Sequence, residues 1–161
     1  MSIHKFEADF LNIAFEEANL ALKLDEVPVG CVIVKDNKVV GRGHNQVIKK
    51  NSVSAHAEIL AINNASQAMR NHRLINCDIY VTLEPCHMCA KAIIDARISN
   101  LFFSTPEPKT GAVISVDNFL DKNHHNHKVS HSYGYSKDIS SLLLKNFFRT
   151  KRKKYPKSFI I

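Results

Sequence analysis

The chain has 161 residues, of which 45% are hydrophobic and 23% are charged, and its formal net charge is +7. This composition is ordinary for one folded domain and excludes a disordered or fibrous protein. No apolar run approaches the ~18 residues that a membrane helix needs. Because Glu7 and Asp9 interrupt the N-terminal stretch, we expect no signal peptide.

The predicted elements alternate between helices and strands. In chain order they are helix 7–24, strand 29–35, strand 38–43, helix 56–69, strand 78–83, helix 85–97, strand 98–103 and helix 138–154. The turn signal Asp36-Asn37 joins the first two strands as a hairpin. Residues 105–111 form a Pro/Gly loop, and the histidine-rich residues 113–135 fit no single element. The alternation predicts an α/β fold, in which helices sandwich a sheet that the hairpin makes mixed. Without repeats or a Gly/Ser linker, we expect one domain over residues 1–161.

Two short motifs contain residues that can bind a metal: His56-Ala57-Glu58 and Pro85-Cys86-His87-Met88-Cys89. Each lies at the start of a predicted helix, and in α/β folds such starts meet at one edge of the sheet. Cys86 and Cys89 share one helical face, and His56 adds a nitrogen ligand. Two sulfurs and one nitrogen suit Zn²⁺, and three protein ligands leave a fourth position open for water. Glu58 is then placed to shuttle the protons of that water.

Each half of this pattern has commoner interpretations when it stands alone. A lone Cys-x-x-Cys is more often half of a structural zinc site or a redox pair, and a lone His-x-Glu is common by chance. The joint pattern is the signature of zinc-dependent nucleobase deaminases. Its Cys86/Cys89 spacing is not that of a disulfide framework, which indicates a reducing, cytoplasmic location. Cys31 lies in an apolar run, and we interpret it as a small, buried hydrophobic residue.

A histidine-rich tract is a weaker candidate for a second metal site. It contains His124, His125, His127 and His131. Because its spacing fits no standard site, we interpret it as a surface loop, with a structural role open for His127.

The positive charge is concentrated at the C-terminal end. Residues 139–161 contain seven of the 22 Lys and Arg residues and no Asp or Glu, so the remaining 15 basic and 15 acidic residues cancel. Such an end predicts contact with a polyanion, or alternatively a solubilising tail. On the last helix, Ile139, Leu143 and Phe147 share a predicted apolar face, whereas Phe148 falls among the basic residues. There it can stack on a splayed base, unless it is buried in a dimer interface. The predicted RNA-contacting residues are Lys145, Phe148, Arg149, Arg152 and Lys153.

Further segments resemble the bacterial tRNA-specific adenosine deaminases, within the wider cytidine deaminase superfamily, over nearly the whole chain. They include Val27-Pro28-Val29-Gly30, Gly43-His44-Asn45, residues 71–75, residues 80–86, Lys109-Thr110-Gly111-Ala112, Asn126-His127 and Phe147-Phe148-Arg149. The resemblance implies a cytidine-deaminase-like α/β/α domain, with a zinc-dependent core of about residues 3–120 and a basic C-terminal helix. It also implies a homodimer with one Zn²⁺ per subunit. The implied reaction is hydrolysis of adenosine to inosine at the wobble position of a tRNA anticodon loop.

The resemblance implies roles for individual residues as well. His56, Cys86 and Cys89 match the zinc ligands, and Glu58 matches the proton shuttle. The implied substrate contacts are Val29, Asn45, Glu84, Glu107, Lys109 and Thr110. The sequence departs from the family at Glu107, where aspartate is usual, and at Lys91 and Ile114, which replace smaller residues.

Two other functions stay open at this point. A deaminase of a free base or nucleoside, of the guanine or cytidine type, would not need the basic end. A non-catalytic zinc module that binds RNA would need neither Glu58 nor an open coordination position.

Overall fold

Five strands form the central sheet of the structure, a computed structural model that describes residues 5–155. They are β1 (Gly30–Lys35), β2 (Lys38–His44), β3 (Cys77–Leu83), β4 (Asn100–Thr105) and β5 (Ser130–Tyr133). Their order in the sheet is β2-β1-β3-β4-β5. β1 runs antiparallel to β2 and β3, whereas β4 runs parallel to β3 and to β5. The predicted α/β class, mixed sheet and opening hairpin are confirmed.

In the described part of the chain, four helices accompany the sheet, and each lies where the sequence predicts it to within a few residues. They are α1 (Ala8–Lys23), α2 (Ala57–Met69), α3 (His87–Asp95) and α4 (Lys137–Lys154). A short 3-10 helix spans Phe119–Asp121. Among residues 5–155, no helix combines the length and the hydropathy needed to cross a bilayer.

The alternation of side chains along β1 explains the layers. Cys31 and Ile33 point into the larger core, which α2 and α3 cover, whereas Val32 and Val34 point into the smaller core beneath α1. This is the period of two that a strand imposes when both of its faces are buried. The complete burial of Cys31 agrees with its interpretation as a small core residue.

β5 lies inside the histidine-rich stretch to which the sequence assigns no element. Its residues, Ser-His-Ser-Tyr, are exposed or half-buried and lack the apolar alternation that predicts a strand. The strand forms because β4 offers it a free parallel edge, from Asn100 opposite Ser130 to Phe103 opposite Tyr133. A tertiary partner, rather than local propensity, therefore decides this element.

The predicted apolar face of α4 is confirmed at Phe147 and wrong at Ile139. Ile139 is 61% exposed, whereas Ser140 and Phe147 are buried. The first turn of α4 meets the carboxyl end of β3, where the Ser140 hydroxyl donates to the backbone oxygen of Thr82 at 2.5 Å. Because a free carbonyl at a strand end requires a hydrogen-bond donor, serine occupies the place that the apolar pattern gives to Ile139.

Candidate active site

The starts of α2 and α3 bring the two predicted motifs together at one edge of the sheet. His56 and Cys86 are the residues that precede the first turns of these helices. The start of α2 is fixed by Asn45, whose Oδ1 accepts the backbone N–H of Ala57 at 2.8 Å. Gly43 lets the helix approach, since a Cβ there would lie 2.3 Å from the Ala57 oxygen. Strand and loop geometry therefore set the position of His56.

The donor atoms of His56, Cys86 and Cys89 form one cluster. The Nδ1 atom of His56 lies 3.7 Å from Cys86 Sγ and 3.5 Å from Cys89 Sγ. A tetrahedral zinc with ordinary Zn–S and Zn–N bonds separates its ligand atoms by about 3.6–3.8 Å, so the three donors fit this ion. Among the described residues, no other three His, Cys, Asp or Glu side chains bring their ligand atoms within 4.8 Å of one another.

The two cysteines of the cluster differ in acidity. The hydrogen bond that Cys89 donates lowers the pKa of the Cys86 thiol to about 4, helped by the hydrogen bond from His56. The pKa of Cys89 is raised in turn, because its proton is held by Cys86 and because it is buried. Cys86 also lies at the start of α3, where the helix dipole favours an anion. The cluster thus offers a thiolate to an incoming cation.

Glu58 lies in the first turn of α2 and is only 4% exposed. Burial raises the pKa of its carboxyl group to about 7. A carboxyl group with a pKa near neutrality can both accept and return a proton, which is the property required of a general acid–base.

A cavity of about 440 Å³ opens beside the cluster, and His56, Glu58 and Cys86 form part of its wall. This volume is typical of a site for a small organic ligand. The cavity is also lined by five of the six predicted substrate-contacting residues: Val29, Asn45, Glu84, Glu107 and Thr110. The donor atoms of His56 and Cys86 and a buried carboxyl group therefore share one chamber that can accept a nucleobase.

Comparisons with known proteins agree with this site. The family model of MafB19-like deaminases matches residues 7–152. The tRNA-specific adenosine deaminase of Aquifex aeolicus is 42% identical to the chain, over 89% of this chain and 94% of that protein. The corresponding protein of Agrobacterium fabrum is 43% identical over the same shares. The chain belongs to the tRNA-specific adenosine deaminases.

Solved structures share the fold of this deaminase. A structure described as a tRNA:A34 deaminase acting at the wobble position of transfer RNA is 40% identical, with a TM-score of 0.83, and covers 86% of this chain and 100% of that chain. A guanine deaminase from Nitrosomonas europaea shares the fold at 18% identity, with a TM-score of 0.76 and coverage of 90% and 86%. The fold is therefore common to enzymes with different substrates.

The deaminase holds Glu84 in a way that the sequence does not predict. Its side chain lines the cavity, but both carboxylate oxygens accept hydrogen bonds from the loop 107–115. Burial raises the pKa of this carboxyl group, yet the hydrogen bonds from Ile114, Ser115 and Glu107 outweigh burial and hold the pKa below its usual value. The oxygens that the predicted substrate contact requires are thus engaged within the protein.

None of the departures from the family replaces a residue of the donor cluster. The Glu107 carboxylate accepts the backbone N–H of Lys109 at 3.0 Å, so it fixes its own turn. Lys109 is exposed and outside the cavity lining. Lys91 is exposed and paired with Asp95, and Ile114 packs against the larger core.

Sequence reasoning missed the wall that α4 and the α1–β1 loop contribute to the cavity. Phe147 and Lys151 line it from α4, and Asp25 and Glu26 line it from the loop. Lys151 Nζ lies 2.5 Å from Asp25 Oδ2 and 5.5 Å from the centre of the Phe147 ring. Phe147 and Lys151 are four residues apart in the predicted helix, so they lie on one face. This spacing could have identified Lys151 as a neighbour of Phe147 in the cavity wall.

The predicted RNA-contacting residues lie on the outer side of α4. Lys145, Phe148, Arg149, Arg152 and Lys153 are all exposed. The exposure that such a contact requires is present, and the contact itself stays a prediction. Lys157, which adds to the basic end of the sequence, lies outside the described residues.

Two histidines of the histidine-rich tract contact backbone oxygens. His125 Nε2 lies 2.8 Å from the Phe119 oxygen, and His127 Nε2 lies 2.7 Å from the Ile98 oxygen. The contact of His127 agrees with a structural role for that residue. The interpretation of the tract as a surface loop is wrong for His125, which is buried, and for His131, which lies in β5.

Proposed function

We propose that this protein hydrolyses adenosine to inosine at the wobble position of a tRNA anticodon loop. The observation that carries the proposal is the buried Glu58 carboxyl group beside a His/Cys/Cys donor cluster in a cavity sized for a nucleobase. The names of its relatives support adenosine in tRNA as the substrate.

We propose Zn²⁺ as the cofactor, bound by His56, Cys86 and Cys89. When bound, the ion supplies an electrophilic centre that lowers the pKa of water at its open position. The donor distances and the acidic Cys86 thiol support this assignment.

Glu58 performs the proton transfers of the proposed reaction. It takes one proton from the attacking water and places it on ring nitrogen 1, which makes carbon 6 electrophilic. It then passes the second proton of the water to the departing amine, so that adenosine and water give inosine and ammonia. Burial excludes bulk water from Glu58, and Val29 and Asn45 line the wall against which the base lies.

A tRNA substrate fits the surroundings of the cavity. The target base must leave its stack to enter, which costs least in a single-stranded loop such as the anticodon loop. The exposed basic residues of α4 lie on the helix that also forms part of the cavity wall, so they can hold the phosphates of the same loop.

The proposal is tested with the purified protein and an anticodon stem-loop whose first anticodon nucleotide is adenosine. Mass spectrometry of the digested RNA should show inosine. A matched stem-loop with the adenosine moved elsewhere in the loop, together with free adenosine, guanine and cytidine, serves as control. Comparable turnover of a free base or nucleoside would contradict the proposal, as would an RNA that binds without reacting.

We also propose that the protein acts as a homodimer in the cytoplasm. The family resemblance supports the dimer. The four free cysteines suit a reducing compartment.

Neutralising the outer side of α4 should weaken tRNA binding and reduce its salt dependence. The variant replaces Lys145, Arg149, Arg152 and Lys153 with glutamine, because deletion of the basic end would also remove Lys151 from the cavity wall. Every phosphate that these side chains neutralise in the unaltered protein contributes about 0.7–0.9 to the log–log salt slope, so the slope of the variant should be smaller by that amount per phosphate. Binding is measured between low and physiological salt.

A variant with the same charge change elsewhere is the control for this experiment. It replaces the exposed residues Lys49, Lys50, Arg70 and Arg73 with glutamine. If the α4 variant keeps the original slope while this control has a smaller one, the basic end is a solubilising extension and RNA binds elsewhere.

Phe148→Ala should weaken tRNA binding by about 1–3 kcal/mol without changing the salt slope, because it removes a stacking surface and no charge. Phe148 is 44% exposed, and its ring lies edge-on to Phe147 at 5.3 Å. Leu142→Ala, at an exposed apolar position of the same helix, is the control. Unchanged RNA affinity combined with dissociation of the dimer would assign Phe148 to the subunit interface instead.

A further inference from the structure

Glu84 connects the segment that contains Cys86 to the loop 107–115, which contributes two residues to the cavity wall. It directly follows β3, precedes Cys86 by two residues and is 3% exposed. Its backbone N–H donates to the Thr105 oxygen at 2.9 Å, and the neighbouring Pro85 oxygen accepts the N–H of Ala112 at 2.9 Å. Backbone hydrogen bonds to two other segments of the chain therefore fix residues 84–85, in addition to any bonds of the Glu84 side chain.

The carboxylate of Glu84 accepts five hydrogen bonds from the loop 107–115. Oε1 accepts the backbone N–H groups of Val113, Ile114 and Ser115 at 3.0, 2.8 and 3.0 Å. Oε2 accepts the backbone N–H of Glu107 at 2.9 Å and the hydroxyl of Ser115. All five partners are donors, and a carboxylate is the side chain that offers acceptors alone.

The loop is shaped around this carboxylate. A Cβ at Gly111 would lie 2.3 Å from both Cδ and Oε2 of Glu84, so the carboxylate occupies the space that any other residue would fill. The loop turns back on itself through the bond from the Gly111 N–H to the Glu107 oxygen at 2.8 Å. Two residues of this turn, Glu107 and Thr110, line the cavity.

We propose that Glu84 is a positioning residue. It holds the turn 107–111 in place at the cavity wall, so that Glu107 and Thr110 face the nucleotide. The proposal rests on the proposed function only for the identity of that nucleotide. Glu84 then acts through the loop and not by direct contact with the substrate, because its carboxylate oxygens already accept hydrogen bonds from five loop donors.

The substitution Glu84→Gln distinguishes the hydrogen bonds accepted by Oε1 from those accepted by Oε2. The amide oxygen can keep the three bonds of Oε1, but the amide nitrogen then faces the Glu107 N–H, and two donors oppose each other. Ser115→Ala is the matched control, since it removes one hydroxyl donor and leaves every backbone donor in place. Both variants keep the three residues of the metal cluster.

Residue-resolved amide hydrogen exchange tests the loop without any substrate. In the unaltered protein the Glu107 amide should be protected. Glu84→Gln should raise its exchange rate by at least about tenfold, while the Val113–Ser115 amides change less. Ser115→Ala should leave the Glu107 amide protected. A protected Glu107 amide in Glu84→Gln would overturn the proposal.

Steady-state kinetics on the anticodon stem-loop give the second readout. Glu84→Gln should raise KM by about tenfold and leave kcat within about threefold, with unchanged zinc content. A fall in kcat together with loss of zinc would show that Glu84 acts through the metal site and would overturn the proposal. A raised KM with a protected Glu107 amide would show direct substrate contact and would equally overturn it. If the unaltered protein forms no inosine, the proposed function fails, and the exchange result still decides the role of Glu84.

Discussion

Replacing Glu58 with glutamine is expected to lower kcat by at least about 10³-fold, which is within the range that positioned general acid–base groups contribute. The amide keeps the shape of the side chain but can neither take a proton from water nor deliver one to the base. Because Glu58 lies beside the donor cluster and is not part of it, zinc content and tRNA affinity should stay at the level of the unaltered protein. Single-turnover inosine formation, metal analysis and RNA binding are the three measurements.

Glu16→Gln is the control for this result, since Glu16 is an exposed glutamate of α1 that pairs with Arg42. It should leave turnover unchanged. Near-normal inosine formation by Glu58→Gln would mean that another group moves the protons, and the assignment of Glu58 would be wrong.

Cys86→Ala is expected to abolish zinc binding and with it the reaction. Removal of a direct ligand should cost more than the about 10–100-fold loss of affinity that follows from losing an outer hydrogen bond of a metal site. The melting temperature should fall too, because the cluster links the start of α2 to the start of α3 and the bound ion stabilises only the folded state. Metal analysis and thermal unfolding with and without a chelator are the measurements.

Cys77→Ala provides the comparison for Cys86→Ala. Cys77 is also buried, but its sulfur lies 3.9 Å from Met69 Sδ and belongs to the core. This variant should keep its zinc and should melt at a temperature that still depends on the chelator. If Cys86→Ala binds one zinc per chain as tightly as the unaltered protein, the proposed ligand set is incorrect.

The residues of the donor cluster could be identified from sequence because the spacing that brings them together is local. Cys86 and Cys89 are three residues apart, and His56 and Glu58 begin a helix, so each motif largely determines its own geometry. The strand–helix alternation that joins the motifs at one edge is also a short-range pattern, which is why the helices and the first four strands can be predicted to within a few residues.

The features that sequence reasoning missed depend on long-range contacts. The bond between Lys151 and Asp25 joins residues 126 positions apart, and the partners of Glu84 lie 23 to 31 positions away. No periodicity encodes such pairs. β5 and the inward face of α4 have the same origin, because a free strand edge and a free carbonyl oxygen, respectively, determine them.

The position of α4 limits how this enzyme can be re-engineered. One side of the helix closes the reaction chamber through Phe147 and Lys151, and the opposite side presents the basic residues to solvent. A chimaera spliced before residue 137 would therefore exchange a piece of the chamber together with the exposed basic surface. The charge of that surface and the shape of the chamber are inherited together, so they can be altered independently only by point substitutions on one side of the helix.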